Sequence, residues 1–120
     1  MAQQITPELE NKIREWQNIR QQVEAFRNQI AVRQQELNEI QLTLEELKKH
    51  PDDVTTYKAV GSVMFQVNKT KITSDLEDRK GDLETLIKSV KTKLEKIEAK
   101  DKELENQIQI ELSQRNLTLQ

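Results

Sequence analysis

"TTYKAVGSVMFQVNK", Thr55 to Lys69, decides how the rest of the chain is read. It is β-branched and aromatic, whereas the sequence on either side is charged, rich in Gln and Glu, and helical in rhythm. One of the two glycines, the only Tyr and one of the two Phe lie inside it. Val60-Gly61-Ser62-Val63 places Gly at the first central position of a two-residue turn, the position at which a type II′ hairpin needs positive φ. Strands are therefore predicted over 55–60 and 63–68. In that register Thr56, Lys58, Val60, Val63, Phe65 and Val67 share one face, and Tyr57, Ala59, Met64 and Gln66 share the other.

A solitary two-stranded hairpin is marginal in water. This one carries apolar side chains and two unpaired edges, which folded proteins cover or pair. The expectation is that such hairpins meet one another and that the chain is a subunit of an oligomer. The competing arrangement folds the hairpin back on the flanking helix near Leu42 and Leu44.

Outward from the hairpin, the apolar spacing changes from two to three and a half. Leu9, Lys12, Trp16, Ile19, Val23, Phe26, Ile30, Arg33, Leu37, Ile40, Leu44 and Leu47 follow alternate steps of three and four, and ten of these twelve are apolar. Beyond the hairpin, Leu76, Lys80, Leu83, Ile87, Val90, Leu94, Ile97, Asp101, Leu104 and Ile108 repeat the pattern, with eight of ten apolar. That period keeps a narrow seam against a partner helix, as in a coiled coil. Thr6 is placed to cap the first helix, with Pro7 at its first position and Glu8 and Glu10 at the positive end of its dipole. Lys48, Lys49 and His50 suit its end, and Pro51 disfavours helical geometry at His50. The second helix starts at the Ser74–Glu77 capping-box pattern, or earlier at Asn68 or Thr70. The boundaries expected are helix about 7–49, hairpin about 55–68 and helix about 70–116, all in one domain. At about 1.5 Å per residue each helix is roughly 60–65 Å long. Equal helices joined by a short connection favour an antiparallel pair, with Leu47 near Leu76 and Lys12 near Glu111. No partner on the seam is evident for Arg33, Lys80 or Asp101.

Composition narrows the function. The chain is 34% hydrophobic and 33% charged, against about 45–50% and about 25% in ordinary domains. With 3% aromatics it lacks the usual fillers of a compact core. The net charge of −2 supplies no basic stripe for nucleic acid. The lysines between Lys88 and Lys102 are interleaved with Glu95, Glu98 and Asp101 and read as a solvated face. No Cys is present, so thiolate chemistry and zinc–thiolate sites are out of reach. His50 is the lone histidine, and no nucleophile–base set or Gly-rich phosphate loop accompanies it. Asp52-Asp53 offers too few oxygens for a hard cation. No enzyme activity, metal or cofactor is therefore expected. "MAQQITPELE" has no apolar h-region and no apolar run is long enough to span a bilayer. A cytoplasmic protein is expected, and the sequons at Asn68 and Asn116 are expected to be unmodified.

A helix, "PDD", "YKAVGSVMF" and a second helix, with heptads on both sides and one hairpin, resemble the β-type subunit of prefoldin over nearly the whole chain. The segment between Pro51 and Ile72 is too short for the two hairpins of α-type subunits. The resemblance implies a mainly α fold: a long antiparallel two-helix coiled coil whose β-hairpin assembles into an oligomeric β-barrel. It implies a hexamer of two alpha and four beta subunits. It implies an ATP-independent chaperone that holds unfolded clients at the coiled-coil tips and passes them to a group II chaperonin. On that reading Tyr57, Val60, Gly61, Val63, Met64, Phe65 and Val67 are the assembly hairpin. Ile5, Leu9, Ile13, Ile108, Ile110, Leu112, Leu117 and Leu119 bind clients at the tips. Of these, Ile13, Ile110, Leu112, Leu117 and Leu119 fall off the seam and are expected to stay uncovered by helix pairing. Val32 and Leu86 are also off the seam but mid-helix, so being off-seam does not identify a client site. The ends also read as frayed helices with incidental leucines, and the whole chain as a structural scaffold or tether without clients.

Overall fold

The computed structural model describes residues 5–115. In chain order it contains α1 (Pro7–Lys48), β1 (Thr56–Val60), β2 (Val63–Val67) and α2 (Lys69–Gln114). The chain divides into a terminal unit, drawn from Met1–Ile30 and Val90–Gln120, and a hairpin unit, Ala31–Ser89. Each helix contributes one segment to each unit.

In the terminal unit the apolar seam closes between the two helices. Leu9, Trp16, Ile19 and Val23 of α1 are buried, as are Val90, Ile108 and Leu112 of α2. Removing such side chains from water contributes roughly 25 cal/mol per Å². α1 starts where the sequence places its cap: the Thr6 hydroxyl accepts a hydrogen bond from the Leu9 amide at 3.1 Å. Lys12 Nζ meets Glu111 Oε1 at 2.7 Å, and Arg27 meets Glu98 at 2.9 Å. A rising number on α1 thus pairs with a falling number on α2, which makes the segments antiparallel. The expected pairing of Lys12 with Glu111 is present.

In the hairpin unit Leu37, Ile40 and Leu44 of α1 and Leu83 and Ile87 of α2 are buried. Arg79 grips Glu36 across the helices with two hydrogen bonds, Nε to Oε2 at 2.8 Å and Nη2 to Oε1 at 3.0 Å. That bond, and then the guanidinium charge, hold the Glu36 carboxyl below its ordinary value and raise Arg79 in turn. α1 unwinds at Lys49 and His50, ahead of Pro51. Near that end, hydrogen bonds from His50 and then Lys49 lower the Glu46 carboxyl.

The second helix takes the earlier of the starts open to it. α2 begins at Lys69, and the Asn68 side-chain oxygen accepts from the Lys71 amide at 3.1 Å. Asn68 therefore caps the helix, and Ser74 lies inside it. A side-chain acceptor directly after β2 ends the extended backbone at once. Gly81 sits in α2 with open space where a Cβ would stand, so it costs helix propensity without serving a close contact.

Candidate functional site

The hairpin is built as its alternation predicts. β1 and β2 pair antiparallel, with Val60 opposite Val63, Lys58 opposite Phe65, Ala59 opposite Met64 and Tyr57 opposite Gln66. Gly61 has φ 60°, the left-handed region that a two-residue hairpin loop requires and an L side chain resists. The strands are one residue shorter at their outer ends than expected, because Thr55 and Asn68 serve the connections. Asn68 does so as the cap of α2.

Both faces of this ribbon are open. Val60, Val63 and Phe65 on one face, and Tyr57 and Met64 on the other, are each more than half exposed, with Met64 highest at 66%. Val67, next to the root, is half-buried. The hairpin is not folded back over Leu42, which is itself 66% exposed. Five large apolar side chains lie exposed on ten strand residues, three on one face and two on the other, and apolar surface left open in this way marks an interaction surface.

The terminal unit presents the opposite case. Leu9 and Ile108 are 0% exposed and Leu112 is 3% exposed, and with Trp16 they form one cluster. Ile13 and Leu104 pack against it. The expectation that pairing leaves Leu112 and Ile13 uncovered is therefore corrected. A straight α-helix drifts from a strict 3.5 repeat, and the step from Leu104 to Ile108 to Leu112 is four and four. The apolar stripe widens there, and Leu112 joins Leu9, Trp16 and Ile108 in one cluster. Ile110 remains 58% exposed and Ile5 41%. Leu117 and Leu119 lie outside the described residues.

Polar contacts close this cluster. The Trp16 indole Nε1 donates to Asp101 Oδ1 at 2.7 Å, and the Arg20 guanidinium lies over the Trp16 ring, 5.0 Å from its centroid. Asp101, a charged interruption of the seam, thus has its partner in the only tryptophan. The available signal was that both residues occupy seam positions and that a buried indole needs an acceptor.

A third feature carried no signal in the sequence. Lys69, at the root of the hairpin, is 7% exposed and is the one buried charged side chain among the described residues. Its Nζ donates to the His50 carbonyl at 2.6 Å and lies 3.4 Å from Asp52 Oδ1. Among the described residues no group of three His, Asp or Glu is placed to hold a metal ion, and no helix is long and apolar enough to cross a membrane.

Comparison with known proteins agrees with this architecture. The family model described as "Prefoldin subunit" matches residues 10–115. Prefoldin subunit beta of Methanosarcina acetivorans is 31% identical over 91% of this chain and 93% of its own length. Prefoldin subunit beta of Thermococcus gammatolerans is 32% identical over 92% of this chain and 94% of its own. Among solved structures, the prefoldin beta subunit from Thermococcus strain KS-1 superimposes with a TM-score of 0.80 at 29% identity. It covers 93% of this chain and 97% of that one.

Proposed function

The chain belongs to the prefoldin family as a β-type subunit, and from that premise we propose that it holds unfolded proteins without ATP and delivers them to a group II chaperonin. In this proposal it works in the cytoplasm, in a hexamer of two alpha-type and four beta-type subunits. Tyr57, Val60, Gly61, Val63, Met64, Phe65 and Val67 form its share of the assembly surface. The observation that carries the reading is the hairpin with apolar side chains open on both faces: a ribbon of that kind is marginal by itself and gains stability once something covers it.

Client contacts are assigned to the terminal unit, in two sets. Ile5 and Ile110 are accessible as they stand. Leu9, Ile13, Ile108 and Leu112 become available when the ends of the two helices part, which exchanges their mutual burial for burial against a client. Both steps rest on non-directional apolar contact, so diverse unfolded chains are accepted. Leu117 and Leu119, outside the described residues, are assigned to the same role by the resemblance alone.

The test is made on the subunit purified from its own cells. The expected result is a complex of about six small subunits, including a second type with a longer hairpin segment, that suppresses aggregation of a denatured test protein without ATP. A lone chain or simple dimer with no effect on aggregation would return the chain to a scaffold or tether role.

A further inference from the structure

Lys69 is expensive where it stands. Burying an ammonium is unfavourable unless its donors find acceptors. A lysine in the first turn of a helix also faces the positive end of its own helix dipole. An exposed Lys at this position would avoid both costs.

What the position provides is a link to the other helix. α1 ends at Lys48, and the last carbonyls of a helix lack intrahelical partners and carry partial negative charge. The Lys69 ammonium is 2.6 Å from the carbonyl of His50, two residues past that end. Lys69 in turn opens α2 directly after Asn68, whose side chain caps the helix, and β2 ends at Val67. One side chain therefore ties the point where the chain leaves α1 to the point where it enters α2. The hairpin is the only regular structure in the loop thus closed. Asp52 is a minor partner, since its contact is 3.4 Å and its side chain is 94% exposed.

Resting on the assembly role proposed for the hairpin, we infer that Lys69 is a positioning residue for subunit assembly. By holding the two roots of the hairpin together, it presents β1 and β2 already oriented, so association does not have to order them. Preorganisation of this kind raises affinity by reducing the ordering cost of binding.

The experiment compares full-length Lys69→Met, which keeps the buried stem and removes the ammonium, with the wild type and with Asp52→Asn. Each is mixed with the alpha-type subunit and followed by native mass and subunit exchange. Lys69→Met is expected to keep its helix content and to weaken assembly by about tenfold or more, with faster hydrogen exchange in Val63–Val67. Asp52→Asn is expected to assemble like the wild type. Unchanged assembly of Lys69→Met overturns the inference, as does a loss of equal size in Asp52→Asn. Should Lys69→Met fail to fold, the isolated wild-type chain decides. Strand amides protected together with the first turns of α2 support the inference. Strand amides exchanging at open-chain rates beside a protected α2 overturn it. Val63→Asp separates the two readings. If it still assembles, the proposed role of the hairpin fails. If it is dissociated while Lys69→Met assembles, only the role of Lys69 fails.

Discussion

The hairpin and the terminal cluster hold similar amounts of apolar side chain and treat it in opposite ways. Val60, Val63, Met64 and Phe65 are turned outward on a ribbon too thin to bury anything. Leu9, Trp16, Ile108 and Leu112 are turned inward between two helices and fastened by Trp16–Asp101 and Lys12–Glu111. A surface that is always open suits a permanent partner, which covers it once. If the closed surface opens to clients, as proposed, it suits transient partners, because it is shielded whenever none is bound. The difference arises from geometry. A two-stranded ribbon has no interior, whereas two helices share one.

The largest expected effect attacks the open surface. Phe65→Asp places a charge on the face carrying Val60 and Val63, and desolvating it against a partner is prohibitive. Assembly with the alpha-type subunit is expected to be lost on size-exclusion chromatography, with helix content by circular dichroism unchanged. A normal complex would remove the contrast between the two regions. Next comes the closed surface. Leu112→Ala empties a buried site, and truncations of that kind cost about 2–5 kcal/mol. The low end of that range is expected near a helix terminus, read as faster hydrogen exchange over residues 104–112 with assembly intact.

Trp16→Phe is milder and more informative. It keeps an aromatic ring in the cluster and removes the donor to Asp101, a loss of ~1–2 kcal/mol. If opening exposes the client surface, aggregation of a denatured test protein should be suppressed faster than by the wild type. Equal or slower suppression would mean that the cluster is purely structural. The smallest effect concerns Glu36. Its carboxyl is lowered from 4.5 by the hydrogen bond from Arg79, so the pair stabilises the fold above that pH. This contribution is lost as pH falls through the lower folded value. Glu36→Gln should therefore flatten the acid side of the melting temperature against pH while leaving neutral-pH assembly unchanged.

Most of the architecture was legible because it rests on periodicity. The heptads, the Thr6 and Pro7 start and the Gly61 turn are local patterns, and each is present where its residues place it. The errors fall where a pattern meets three-dimensional reach. A seam extended at a fixed period leaves Leu112 uncovered, whereas the helix drifts and Leu112 is buried in the cluster of Leu9, Trp16 and Ile108. Asp101 lacked a partner on paper because an indole donor is not a charge. Lys69 was invisible, since a lysine beside a helix start in a third-charged sequence looks like any other solvated lysine. Its burial depends on where α1 stops, which its own neighbours do not encode.

The turn at Gly61 is selective for handedness. At Gly61 the backbone has φ +60°, and nothing lies within 4 Å of where a Cβ would be. The space is therefore indifferent to a methyl group, and only the backbone conformation discriminates. For an L residue that conformation costs roughly 1–2 kcal/mol. For its mirror image it is the relaxed state. An L-alanine at 61 has room for its methyl group and is opposed by the backbone conformation alone, whereas a D-alanine installed there by chemical ligation would favour the turn. The two enantiomers would then report, with no change in composition, how much of subunit assembly depends on the hairpin being formed beforehand.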